Sequence, residues 1–254
     1  MKITNIKKKN NKYEIKLEKG TPFLILDETI LEFNLYKDKV INESDLEKIK
    51  NYDNVMRYYI KCVNKVKYKR RTKNEIISFL KKEDVSNYDI KIILDKLINI
   101  NLINDLDYLK AFINDEVNLT LNGPYKIKTK LYKKGFDNSD IDIVLDDIPD
   151  DVWDEKINKL IAKKIKSIRN KSGVEVKNKI IIDLLKEGYN KNKIMLFINN
   201  YEFNNDPKVL EKQYNKLLRK YSKKDIDEKQ KEYSIKMELY KKGYKEDEIK
   251  KTVK

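Results

Sequence analysis

The side chains best placed to do chemistry in this chain are cations, and they come in knots. Lys67, Lys69, Arg70, Arg71 and Lys73 crowd around Thr72, Lys126, Lys128 and Lys130 form a second group, and Lys163, Lys164 and Lys166 a third. Cations so gathered attract phosphate or carboxylate, and at a helix start backbone amides join them. Tyr68, Tyr125 and Tyr132 lie beside these groups. A base can stack on an exposed ring, although at helical spacing a tyrosine more often packs. Bond-making chemistry has few candidates. The chain has no histidine, which removes the commonest general base and metal ligand. Its one cysteine, Cys62, sits among apolar helix positions and reads as a buried thiol; it excludes internal disulfides and zinc clusters. Asp146, Asp147, Asp150 and Asp151 flank Pro149 and on paper resemble a Mg²⁺ site. Carboxylates beside a proline at a helix junction more often cap helices. A Gly-rich phosphate loop and a nucleophile elbow are both missing. The expectation is a protein with no catalytic residues, no cofactor and no metal.

The elements that must position these cations repeat. Phe79-Leu80-Lys81-Lys82-Glu83-Asp84-Val85, Leu131-Tyr132-Lys133-Lys134-Gly135-Phe136, Leu184-Leu185-Lys186-Glu187-Gly188-Tyr189 and Leu239-Tyr240-Lys241-Lys242-Gly243-Tyr244 are versions of one segment. Each is followed at a fixed distance by an isoleucine (Ile90, Ile141, Ile194, Ile249), with offsets of 51, 53 and 55 residues. A period near fifty marks a stacked array, which usually holds a partner along an extended face. Past the glycine position Ile90, Ile93, Leu94 and Leu97 follow the i, i+3, i+4, i+7 rhythm of a helix with one buried face. Ile76, Ile77, Phe79 and Leu80 make a second such stripe before it. Gly135, Gly188 and Gly243 stand where a helix ends in the left-handed conformation that glycine takes cheaply. Asp84 and Val85 hold those places in the first repeat, so its turn is expected to differ. Thr72-x-x-Glu75 reads as a capping box and Gly123-Pro124 as a helix start.

Longer helical stretches at 52–68, 105–119, 151–169 and 207–221 complete each unit. Trp153, opening the third of them, reads as packing between repeats. The first fifty residues differ: candidate strands lie at 2–8, 12–18, 23–26 and 30–35, with Asn10-Asn11 as a hairpin turn and a short helix from Ser44 through Ile49. The predicted fold is mainly α: an elongated array of about four three-helix repeats behind a small β-rich N-terminal domain. Expected boundaries are 1–50 for that domain and 51–101, 102–149, 150–203 and 204–254 for the repeats.

Lysine and arginine total 57 against 42 acids, a net charge of +15. A chain rich in Lys, Asn, Ile and Tyr carries the bias of AT-rich coding sequence, so the distribution says more than the sum. Residues 61–82 hold nine bases and one acid, 137–155 nine acids and no base, and 156–171 seven bases and no acid. Such blocks predict basic patches separated by an acidic one. The absence of an apolar run after Met1 predicts no signal peptide, and no run is long enough to span a membrane. A cytoplasmic protein, acting as a monomer, is expected.

Three segments also resemble a known family. Val63 through Ile76, with its basic pair, Arg71-Thr72 and Glu75-Ile76, is similar to a motif of the RecX regulators of RecA recombinase. So is Ile100-Asn101-Leu102-Ile103-Asn104-Asp105 with Tyr108, where Asn101 replaces the family's glycine and Leu109 its alanine. So too is the stretch from Gly123-Pro124 through Leu131 to Gly135-Phe136. Lys69 stands where an arginine is usual. The β-rich extension and fourth repeat resemble the longer RecX proteins of Gram-positive bacteria. The resemblance implies a non-enzymatic, negative modulator of RecA that lies along the RecA–single-stranded DNA filament and binds DNA. Its partners would be the filament and single-stranded DNA, with double-stranded DNA a further candidate. The acidic block at 137–155 would meet basic surface on the partner. The competing reading from the residues alone is a DNA-binding helical-repeat protein without a recombinase partner.

Overall fold

The computed structural model describes residues 1–252. It forms two compact units, Met1–Ala111 and Phe112–Lys254, and among the described residues it has thirteen helices and one three-stranded antiparallel sheet.

The first unit opens with β1 (Ile3–Lys9), β2 (Lys12–Leu17) and β3 (Phe23–Ile25), paired in that order. Asn10 turns the β1–β2 hairpin at φ +53°, a conformation Asn tolerates better than most residues. Alternation puts Ile3, Ile15 and Ile25 on one face, where they pack with Leu35, Ile41 and Ile49. The strand expected at 30–35 is not there. That segment belongs to α1 (Asp27–Glu32) and the turn after it. Asp27 and Glu28 suit the positive end of a helix, and Asn34 at φ +44° ends the turn. A short apolar run is ambiguous between the two readings. Thr29 is buried and donates to Asp53 at 2.9 Å. The same carboxylate accepts from the Leu26 amide at 2.7 Å and from Arg57 at 2.7 Å. Asp53 and Arg57 thereby pin α1 and β3 to α2 (Glu43–Tyr68).

α2 is one continuous helix of 26 residues, closed at its start by an Asn42/Asp45 capping box. The sequence predicts a short helix from Ser44 and a separate one from residue 52 here. No Gly or Pro interrupts it, and the backbone runs straight through the boundary expected at 50. α3 (Lys73–Lys82) and α4 (Asn87–Asn99) complete the first helix triplet. Cys62, Ile76, Leu80, Ile93 and Leu97 close its core, each at most 1% exposed. Burial pushes the Cys62 thiol up to about 11, which makes it an inert packing group at neutral pH.

α5 (Asp105–Leu119) carries the chain into the second unit. α6 (Pro124–Tyr132) and α7 (Asn138–Asp146) complete its triplet. Then come α8 (Asp150–Ser167), α9 (Gly173–Lys186) and α10 (Lys191–Ile198), and finally α11 (Pro207–Tyr221), α12 (Glu228–Lys241) and α13 (Glu246–Thr252). The middle helix of every triplet ends in the same way. Val85, Phe136, Tyr189 and Tyr244 donate their amides to Leu80, Leu131, Leu184 and Leu239, at 3.1 to 3.3 Å. The residue before each donor is left-handed: Asp84 at φ +57°, Gly135 and Gly188 at +88°, Gly243 at +90°. These are four Schellman turns. The expectation that the first would differ is corrected: Asp84 adopts the conformation that glycine adopts in the others.

The glycines do a second job in the second unit. At the start of α6, Gly123 donates its amide to the Glu187 carbonyl at 2.7 Å, and Tyr125 donates to Gly188 at 3.1 Å. The positive N-terminal end of α6 therefore meets the negative C-terminal end of α9. A Cβ on Gly188 would lie 2.3 Å from the Lys126 nitrogen, and one on Gly123 2.7 Å from the Gly188 oxygen. The next pair of triplets repeats the arrangement: Ser172, the N-cap of α9, donates its hydroxyl to the Lys242 carbonyl at the end of α12. Trp153 is buried on α8, as a packing residue should be.

Candidate nucleic-acid interface

α2 ends at Tyr68, and Lys69 leaves it in extended conformation. Lys65 and Lys67 occupy the last turn, where cations suit the exposed carbonyls. Thr72 then caps α3, accepting from the Glu75 amide at 3.1 Å. Two tight helix ends separated by four residues force Lys67, Lys69, Arg70 and Lys73 into one neighbourhood. All four are exposed and make no side-chain ion pair or hydrogen bond among the described residues. Arg71 differs: its guanidinium lies 3.6 Å from the Glu75 carboxylate and is about one-third exposed. Arg70 and Arg71 also line a cleft of about 160 Å³ with Asn101, Asn104 and Tyr108. The anion seat expected at the start of α3 is already filled, because the Lys73 amide donates to the Asp105 carboxylate at 2.9 Å. Cationic side chains, not helix-end amides, make this patch. Tyr68 stands beside it 91% exposed. The packing role favoured for the tyrosines does not hold here, nor for Tyr125 and Tyr132, at 74% and 63%.

The other two groups fare differently. Lys126 pairs with Glu187 at 2.6 Å, Lys128 with Asp142 at 2.6 Å, Lys130 with Glu116 at 2.7 Å and Lys164 with Asp183 at 2.6 Å. Burial pushes the Glu116 carboxyl up, but hydrogen bonds from Lys130, Asn122 and Thr120 more than offset it and hold it below its ordinary value. The hydrogen bond from Lys164 likewise holds Asp183 low. Of these two groups only Lys163 and Lys166 are exposed and unpaired among the described residues.

Of the carboxylates around Pro149, Asp150 and Asp151 stand in the first turn of α8. Asp151 accepts from the Val152 amide at 2.9 Å, and Asp150 pairs with Lys193 at 2.7 Å. Among the described residues no His, Cys, Asp or Glu cluster is arranged to hold a metal, and no helix is long and apolar enough to cross a membrane. Sequence reasoning missed two anchors, Asp53 and the buried Lys156. The latter donates to the Thr120 carbonyl at 2.8 Å, and burial lowers its pKa. The i, i+4 spacing of Asp53 and Arg57 was the available signal for the first.

No protein-family model matches the chain. Curated relatives do. The chain is 32% identical over 265 residues to a regulatory protein RecX of Streptococcus agalactiae, covering 98% of this chain and 97% of that one. It is 31% identical over 228 residues to a regulatory protein RecX of Listeria welshimeri, covering 87% and 84%. A crystal structure of a regulatory protein RecX superposes with a TM-score of 0.71 at 26% identity, over 79% of this chain and all of that one. RecX from Lactobacillus salivarius superposes at 0.56 with 30% identity, over 59% and 97%.

Proposed function

The chain belongs to the RecX family of regulatory proteins, and on that premise we propose that it is a non-enzymatic, negative modulator of a RecA recombinase that engages the RecA–single-stranded DNA filament. What supports the DNA half of this reading is the cluster of free cations Lys67, Lys69, Arg70 and Lys73 beside the exposed ring of Tyr68. Exposed cations release counterions from phosphates, and an exposed ring offers a stacking surface to an unpaired base. The work is done by occupancy: a folded chain seated on a filament blocks subunit addition without breaking a bond.

The test is a titration of RecA-catalysed ATP hydrolysis on single-stranded DNA. Inhibition well below one molecule per filament subunit is the expected result. An effect that begins only once the DNA itself is saturated would favour a DNA-binding protein with no recombinase partner.

A further inference from the structure

The second unit contains a cavity of about 790 Å³ between the α6–α9 junction and the α7–α8 corner, within the range of about 300–1,000 Å³ usual for ligand sites. Apolar and aromatic side chains, Tyr125, Leu145, Ile148, Trp153 and Tyr189, share its lining with Lys128 and Lys193. Asp142, Asp146 and Asp150 also line it. The protein's own cations satisfy two of these carboxylates: Lys128 holds Asp142, and Lys193 bridges Asp150 and Asp154 at 2.7 and 2.8 Å. Asp146 is exposed and has no partner among the described residues. The cavity thus presents the exposed ring of Tyr125, with the buried rings of Trp153 and Tyr189 in its wall and an uncommitted carboxylate in the same lining. Half of its lining, from Asp142 to Trp153, comes from the stretch 137–155, which has nine acids and no base in a chain of net charge +15.

We propose that this cavity receives an arginine side chain from a basic segment of the protein partner. The inference rests on the reading that the chain engages a protein filament. Both lysines of the lining, Lys128 and Lys193, are engaged by carboxylates, and the one uncommitted charge is that of Asp146, so a phosphate finds no free cation here and the nucleic acid is not the occupant. A guanidinium matches the lining on both counts: it stacks on aromatic faces and forks onto a carboxylate. Lysine offers a single point charge and no plane to stack.

Trp153 is the chain's one tryptophan and lines the cavity, so its emission reports occupancy. The full chain is titrated with the peptide acetyl-Ala-Ala-Arg-Ala-Ala-amide and with the same peptide carrying neutral citrulline in place of arginine. A saturable change is expected with the arginine peptide, at least fivefold weaker with citrulline and in D146N. Equal responses to both peptides, no saturable response, or displacement of the arginine peptide by a single-stranded oligonucleotide would each overturn the assignment. In the ATPase titration, the variant D146N, whose altered side chain is exposed, is expected to inhibit at least fivefold less potently with unchanged DNA affinity. Undiminished potency of that variant would sink the cavity while leaving the regulator reading intact. A wild-type chain that does not inhibit at all would sink the regulator reading, and the peptide titration then judges the cavity alone.

Discussion

Whether a lysine is free or already engaged decides what it can do for a phosphate. Lys126 and Lys69 look alike in the sequence, yet Lys126 is held by Glu187 at 2.6 Å, across 61 positions of chain, while Lys69 faces solvent unpaired. That distinction was not legible, because a basic knot can be read locally and its acidic counterpart cannot. It is testable with two double variants. K69A/R70A is expected to weaken binding to single-stranded DNA several-fold with helical content unchanged. K128A/K130A should leave DNA binding nearly unchanged but cost about 1 kcal/mol in stability, since Glu116 loses its cation. Fluorescence anisotropy and chemical denaturation separate the two outcomes; equal losses of DNA affinity would erase the distinction. Titration follows the same pairs. Glu116, Asp183 and Glu238 have carboxyls held below their ordinary values. A lowered folded pKa stabilises above the unfolded value, about 4, and that stability is lost as pH falls through the lowered values. With no histidine in the chain, the melting temperature should be flat from about pH 5 to 8 and drop below about pH 4. A step near pH 6.5 would contradict this.

At the scale of elements, what could be read was what is local. The stripes of α4 and α7 and the glycine turns follow from spacings of three to five residues, and they came out as expected. Asn101 illustrates the rule from the other side. It stands where the family has glycine, and it sits at φ +55°, in the conformation Asn tolerates next best. The junctions between triplets were not legible, because Gly123 and Gly188 are 65 positions apart and nothing local marks them as partners. α1 was misread because its few apolar residues fit a strand equally well. The turns make a paired prediction. Asp84 bears a side chain at φ +57° and is exposed, so D84G should raise stability, by up to about 1 kcal/mol. G188A meets the same backbone cost and also drives a Cβ to 2.3 Å from the Lys126 nitrogen. It should destabilise by about 2 kcal/mol or more. Urea unfolding measures both, and a stability loss for D84G matching that of G188A would show that the left-handed position is not what sets these turns.

Across the whole molecule, a net charge of +15 says only that polyanions are welcome; the number of cations that touch phosphate is a separate quantity. The sequence offers eleven candidate cations: Lys67, Lys69, Arg70, Arg71, Lys73, Lys126, Lys128, Lys130, Lys163, Lys164 and Lys166. Five of them have carboxylates at 2.6 to 3.6 Å. Six are left: Lys67, Lys69, Arg70 and Lys73 in the first unit, Lys163 and Lys166 in the second. Each cation that displaces a counterion from single-stranded DNA contributes about 0.7 to the slope of log affinity against log salt. Contact through all eleven would give a slope near about −8, contact through the free six about −4, and contact through the first-unit cluster alone about −3. The paired lysines would have to abandon short contacts to reach phosphate, so the expected slope is between about −3 and −4. Substituting Lys69 and Arg70 should then lower its magnitude by about 1.4. A slope near −8 would mean that the intramolecular pairs open on binding, and a slope near zero would remove phosphate contact from the function altogether.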